Sequence, residues 1–247
     1  MKINDIIEYT KALAPYETAE DWDNVGLLVG DGDREVSRVL IALDITPAVV
    51  EEARAIGAQL IVSHHPVIFD PLRVLVPDDA VYLLAKYDIA ALCLHTNLDR
   101  AEEGVNVQLG RALGLRDAVF YPEDFLLVGS PEKPCDSAEY AAVIKERLDA
   151  PSVRYTEGRV TRVAVSSGGG GDGVELAGKY GFDAFVTGEM KHHQYLWANA
   201  HGIAAFDAGH YPTENIITEP LQKLLQAQFS NAEFIFTKKN PCPCRGI

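Results

Sequence analysis

Short apolar runs alternate along this chain with amphipathic stretches, in a strand–helix–strand rhythm that occurs twice. Val39-Leu40-Ile41-Ala42-Leu43, Gln59-Leu60-Ile61-Val62 and Ile89-Ala90-Ala91-Leu92-Cys93-Leu94 have strand length and almost no polar interruption. Such runs are typical of strands covered on both faces. Between the first two, Thr46-Pro47 reads as a capping hydroxyl followed by proline at the first helical position. Further helices are predicted from an Asn4 cap to about Ala14, from about Ala80 to Lys86, and from Gly104 to Leu113. The polar, turn-rich stretch Glu20 to Leu27 is expected to be a loop.

The best internal break is Gly129-Ser130-Pro131-Glu132-Lys133-Pro134, so the expected lobes are residues 1–128 and 129–247. Beyond a helix at Ser137 to Leu148 the rhythm returns, with strands at Val163 to Ser166, Asp183 to Val186 and Ile203 to Phe206. Helices through Leu176-Ala177 and from about Lys191 to Ala200 separate them. The pattern closes with a helix from about Thr213, interrupted near Pro220, and a strand at Glu233 to Phe236. Val62-Ser63-His64-His65 in the first half sits where Val186-Thr187-Gly188-Glu189 sits in the second, and Leu94-His95-Thr96-Asn97 where Ala208-Gly209-His210-Tyr211 sits. The fold class predicted is α/β, with two interlinked lobes. Open α/β sheets bind ligands outside the carboxyl ends of their strands, so a cleft between the lobes is expected to collect the polar loops.

Composition narrows the function classes. The chain has 247 residues, 47% of them hydrophobic and 23% charged, which is ordinary for a globular protein with a sizeable core. The net charge of −14 disfavours nucleic acid as a partner, because such binding runs on Lys and Arg against phosphate. The start Met1-Lys2-Ile3-Asn4-Asp5 lacks the features of a signal peptide, and no run approaches the roughly 18 apolar residues of a membrane span. A soluble, cytoplasmic protein is expected. Cys93, Cys135, Cys242 and Cys244 do not form a disulfide framework. The Cys242-Pro243-Cys244 tail is read either as a metal ligand pair or as incidental.

The candidate chemistry lies at the strand ends. Ser63-His64-His65-Pro66, His95-Thr96-Asn97-Leu98-Asp99 and Gly209-His210-Tyr211-Pro212-Thr213-Glu214 each follow an inferred strand. Imidazoles and carboxylates together are what divalent-metal sites are built from. Adjacent side chains diverge in a strand, so His64 and His65 suit two ions about 3.5–4 Å apart; the alternative is a polar turn with one buried histidine. Asp99 reads as a ligand or a helix cap, and Glu214 as a ligand or a first-turn glutamate favoured by the helix dipole. Gly168, Gly169 and Gly170, in a glycine-rich run between a strand and a helix, are an anion-site candidate without P-loop chemistry; the alternative is a flexible crossover. Glu189 is a candidate acid, base or supporting group. His192 and His193 point to different helix faces, one of them expected at the surface.

At these residues the chain resembles the Nif-three-like dinuclear metal proteins, often labelled GTP cyclohydrolase 1 type 2 homologs. The resemblance rests on Trp22-Asp23-Asn24-Val25-Gly26-Leu27, Ser63-His64-His65-Pro66, His95-Thr96-Asn97-Leu98-Asp99, Thr187-Gly188-Glu189 and Gly209-His210-Tyr211-Pro212-Thr213-Glu214, in the family's order. It implies two α/β lobes, a ring-shaped homohexamer, and two divalent metals held by His64, His65, Asp99, His210 and Glu214, with Glu214 bridging. His95 would be a supporting group. None of the five ligand positions departs from the pattern; the Cys-Pro-Cys tail is outside it.

Two functions follow as expectations. One is a metal-dependent hydrolase acting on a nucleotide, in the cyclohydrolase form opening the guanine ring of GTP with release of formate, with Glu189 and His95 handling protons. The other is a non-catalytic metal-binding scaffold or partner-binding, regulatory protein. Zinc, iron and manganese all suit the mixed ligand set.

Overall fold

The computed structural model describes residues 1–245. The chain forms two compact units. One comprises Met1–Ala101 with Thr218–Pro241, the other Glu102–Ile217 with the segment from Cys242.

The first unit contains α1 (Ile3–Leu13), β1 (Gly26–Val29), β2 (Arg38–Ala42), α2 (Pro47–Ile56), β3 (Leu60–Ser63), α3 (Ala80–Tyr87), β4 (Ala90–Cys93) and α4 (Thr96–Asp99). The returning segment adds, in chain-order numbering, α10 (Thr218–Gln228) and β13 (Glu233–Phe236). The sheet order is β1-β4-β3-β2-β13. The last four strands of that order are parallel, and β1 runs antiparallel against β4. Ile41, Val62 and Leu92 are essentially without exposure, as expected where both sheet faces are covered. Ala42 pairs with Ser63, and Ser63 with Cys93, so the carboxyl ends of β2, β3 and β4 finish on one line. The antiparallel pairing of Gly26 with Cys93 brings the residues before β1 to that same end.

Local chemistry explains the helix bounds. Thr46 Oγ1 accepts from the Val49 N–H, Pro47 is the first helical residue, and Gly57 closes α2 in the left-handed region at φ 70°. The first helix differs from expectation. Lys2, not Asn4, precedes it, and the Lys2 N–H donates to Asp5 Oδ2 at 2.7 Å. Asn4 lies inside the first turn, where its amide donates to Asp33 Oδ1.

The second unit holds α5 (Val105–Ala112), β5 (Arg116–Tyr121), β6 (Leu126–Ser130), β7 (Cys135–Asp136), α6 (Ser137–Arg147), β8 (Arg154–Tyr155), β9 (Arg159–Val160), β10 (Val163–Ser166), α7 (Gly173–Lys179), β11 (Ala184–Thr187), α8 (His192–His201), β12 (Ala204–Asp207) and α9 (His210–Glu214). Its main sheet runs β5-β6-β10-β11-β12-β8, and β7 pairs with β9. Side chains alternate between two cores: Val163, Val165, Val186 and Phe206 on one face, Ala164, Phe185 and Ala205 on the other. Both units thus contain three consecutive parallel strands with a short antiparallel strand, β1 or β8, against the third.

The seam differs from the expected 1–128 and 129–247 division. Leu126–Ser130 is a strand paired with β10, so residues 102–128 build the second sheet. β13 pairs with β2, which returns residues 218–241 to the first unit. Gly129-Ser130 mimics a break because glycine is needed inside that strand, where a Cβ would lie 2.9 Å from Arg116 O.

Gly30, which follows β1 at φ +102°, lies so close to β4 that a Cβ would sit 2.7 Å from Ala90 Cβ. Gly181 also has positive φ, +76°, but nothing lies within 4 Å of its Cβ position. Gly30→Ala should therefore cost about 1–3 kcal/mol more than Gly181→Ala, the increment being overpacking. Urea unfolding of both variants tests this, and equal losses would show that β1 and β4 are not held in tight contact.

Candidate metal centre

The aligned ends of the first sheet deliver three imidazoles to one place. His64 and His65 leave the end of β3, and His95 follows β4. Their ring centroids are 5.0, 5.2 and 5.6 Å apart. One ring nitrogen from each lies within 4.8 Å of the others, so the three could hold a metal ion. The trio therefore includes His95 on the same footing as the His64-His65 pair.

Each imidazole is oriented through Nδ1. His64 is 1% exposed and its Nδ1 lies 2.9 Å from Leu94 O; a carbonyl can only accept, so Nδ1 carries the proton. His65 Nδ1 lies 2.7 Å from Asp44 Oδ1, and His95 Nδ1 2.8 Å from Asp23 Oδ1. In all three, Nε2 is then the ring nitrogen that a metal would take. Metal-binding histidines characteristically have their second nitrogen fixed in this way by a carboxylate or carbonyl.

The supporting residues come from neighbouring strand ends. Asp44 follows β2, and the Asn240 side chain holds it: Nδ2 donates to Asp44 Oδ2 at 3.0 Å while Oδ1 accepts from the Leu43 and Asp44 N–H groups. Asp23 precedes β1. Burial pushes its carboxyl upward, but the hydrogen bonds from His95 and Thr96 outweigh that and hold it at about 2. Its Oδ2 accepts from the Thr96 N–H at 3.0 Å and from the Thr96 hydroxyl. Asp99, in α4, places Oδ1 3.8 Å from His64 Nε2. Cys93 is next to the trio but its thiol is pushed up by burial and donates to His64 O, which makes it a packing group. A cavity of about 400 Å³ opens beside His65 and is lined also by Asp44, Thr46, Leu72 and Leu75.

The second unit builds its own acidic–imidazole pair at its strand ends. Gly209, at φ 92°, turns the chain from β12 into α9, which begins at His210. His210 Nε2 lies 3.0 Å from Glu214 Oε2, one helical turn on, and its Nδ1 lies 3.2 Å from Glu189 Oε1. Glu214 is 4% exposed. Glu189, after β11, is thus placed to orient His210 in the way that Asp44 orients His65.

The glycine-rich run serves this pair. A Cβ on Gly168 would overlap Glu214 Oε1 and approach His210 Nε2 to 3.0 Å. The Ser167 N–H donates to Asn106 Oδ1, the Gly168 N–H to Thr213 Oγ1 and the Gly170 N–H to Ser167 O. These amides are directed at protein acceptors, and only Gly169 has nothing within 4 Å of its Cβ position. The run lets the loop close on Glu214, which differs from a phosphate cradle. His192 and His193 are exposed on α8 and belong to neither group. Cys242 and Cys244 lie with their sulfurs 3.8 Å apart.

Asp23, Asp44 and Asn240 received no role from sequence. Asp44 had one usable signal: it ends the first of three parallel strands whose other two ends carry histidines.

The donor set fits a divalent ion. It combines imidazoles oriented through Nδ1 with carboxylates, nitrogen and oxygen donors of the kind zinc, iron and manganese accept, and the glycine cradle leaves no room for a side chain against Glu214.

The chain is similar to a known family along nearly its whole length. A family model described as Duf34/NIF3 (NGG1p interacting factor 3) matches residues 1–243. A Clostridium perfringens protein named GTP cyclohydrolase 1 type 2 homolog is 30% identical over 258 residues, 98% of each chain. A Streptomyces coelicolor protein of the same name is 38% identical over 232 residues, covering 86% of this chain and 81% of its own. Among solved structures, Staphylococcus aureus protein SA1388 is 30% identical with a TM-score of 0.93, over 100% of this chain and 99% of that one. Reduced HcgD from Methanocaldococcus jannaschii is 28% identical with a TM-score of 0.82, over 96% and 98%.

Removing an orienting carboxylate should weaken a bound metal without deleting a ligand. Asp44→Ala and Asp23→Ala are each expected to lower zinc or manganese affinity by about 10–100-fold in calorimetric titration. His192→Ala, on the exposed helix, should leave it unchanged. Wild-type affinity in both aspartate variants would remove the orienting role.

Proposed function

Because the chain belongs to the Duf34/NIF3 family, we propose that it is a metal-dependent hydrolase acting on a nucleotide. In this reading the ligands of two divalent ions, zinc, iron or manganese, are His64, His65, Asp99, His210 and Glu214. The observation that carries the proposal is the trio His64, His65 and His95, each fixed through Nδ1 by a protein acceptor, with ligand atoms within 4.8 Å of one another. Ions bound there would supply Lewis acidity and a nucleophile derived from water near neutral pH.

The chain's own groups do the rest. Leu94 O and Asp44 hold the tautomers of His64 and His65. In this reading His95 stays outside the ligand set: with Asp23 at Nδ1, its Nε2 is left to handle a proton, the arrangement of a general base with its orienter. Glu189 orients His210. The nucleotide, and specifically a GTP cyclohydrolase-like ring opening, is inferred from the printed names of the relatives. Assembly as a homohexameric ring is inferred from the sequence resemblance. Among the described residues no helix is long and apolar enough to cross a membrane.

Elemental analysis of the native protein, followed by a hydrolysis screen of the same sample, tests the reading. We expect about two divalent ions per chain, formate released from GTP or phosphate from a nucleotide, and loss of both metal and turnover in His64→Ala. A fully metallated protein that turns over no nucleotide, and whose His64→Ala variant loses only thermal stability, would instead establish a structural scaffold.

A further inference from the structure

Of the three side chains in the Trp22-Asp23-Asn24 segment, one, Asp23, is explained by the imidazole trio. Asn24 reaches across to another loop, its Nδ2 donating to Ile68 O at 2.6 Å. That bond fixes the residue beside Phe69. Trp22 and Phe69 consequently meet, with ring centroids 5.7 Å apart and a tilt of 43°.

Both rings also border the trio. Trp22 lies 6.1 Å and Phe69 6.4 Å from the His95 ring, each edge-to-face. Yet Trp22 is 58% exposed and Phe69 50% exposed. Large aromatic rings left open to water forgo much of the burial that normally stabilises them. Here two open rings stand against a cluster of histidines, on loops joined by the part-buried Asn24–Ile68 hydrogen bond. Little ordering remains to be done when a ligand arrives, which favours affinity.

We propose that Trp22 and Phe69 form the platform on which the planar base of a nucleotide stacks, holding its ring beside His95. The inference rests on the hydrolase reading and adds the part of the substrate that is recognised. Every base offers a π-face to an aromatic side chain, so stacking selects a planar ring without selecting among bases. The platform therefore supplies class recognition, and the choice among bases falls to other polar groups. Trp22 and Phe69 are positioning residues; neither exchanges a proton with substrate. The neighbouring Leu72, Val74, Leu75 and Val76 are also exposed, and a protein partner covering that loop is the competing outcome.

The test uses the full chain with its metal content measured. Trp197 stacks on His201 in the second unit, so Trp197→Phe leaves Trp22 as the one tryptophan of two and the fluorescence reporter. GMP and AMP should quench it saturably, and ribose 5-phosphate should not. Trp22→Ala, followed by calorimetry in the otherwise native chain, should bind GMP about 5- to 150-fold more weakly, equivalent to the ~1–3 kcal/mol of one base stack. Trp22→Phe should restore most of the affinity, and Phe69→Ala should weaken GMP binding with unchanged metal content. Equal binding of GMP and ribose 5-phosphate, wild-type GMP affinity in both alanine variants, or no binding of GMP would each overturn the platform. A metal-free protein whose Trp22 is still quenched by GMP would fail the hydrolase reading while sustaining the platform.

Discussion

The hydrogen bond at Nδ1 is the constraint on which the first unit's chemistry depends. An imidazole offers two nitrogens and rotates about two bonds, so three of them near one point have many useless arrangements. Leu94 O, Asp44 and Asp23 remove nearly all of those. None of the three acceptors is local to its histidine in sequence: the separations are 30, 21 and 72 residues. Strand register has to supply them. Ala42 opposite Ser63, Ser63 opposite Cys93 and Gly26 opposite Cys93 are the pairings that do so, and a slip of one residue would send every side chain to the other face.

The second unit meets a different requirement by different means. Its carboxylate, Glu214, is buried beside His210, and the obstacle is crowding. The loops after β10, β11 and β12 converge there. Gly188 has Gly168 O and Thr213 Oγ1 2.6 Å from its Cβ position, so alanine at that position would force the loops apart. Glycine-rich sequence between a strand and a helix is thus used for close packing of loop against loop, a use that spacing alone cannot separate from anion binding.

What could be read beforehand divides along the same line. β10 coincides with the apolar run that predicts it, Val163 to Ser166, because a covered strand announces itself by composition, and β13 coincides with Glu233 to Phe236 although it is a partly exposed edge strand. Gly26–Val29 did not, being a half-buried edge strand with a polar approach. Nor did Arg116–Tyr121, which is mostly exposed. Missing β1 had a direct cost: the contact of Asp23 with His95 exists only through the β1–β4 register, so Asp23 stayed a loop residue within a family motif. The histidines themselves were legible because each follows a recognisable strand. Asp44 was hidden because an aspartate before Thr46-Pro47 reads as ordinary turn chemistry. The seam near Ala101 was hidden because β13 rejoins the first sheet from far along the chain.

That rejoining sets an order of events during synthesis. Asn240 braces Asp44 from 196 residues away, and β2 awaits β13 as its neighbour. At about 5–20 residues per second on the ribosome, the first unit waits roughly 10–40 s with an apolar edge uncovered. The second unit's residues 102–217 are contiguous and emerge inside that interval. A nascent chain stalled before residue 233 would therefore carry residues 102–217 of the second unit and a first unit whose histidines are present but whose Asp44 lacks Asn240. The contact of Asp44 with Asn240 forms only after β13 has been made, so the carboxylate that orients His65 is set by one of the latest segments of the chain.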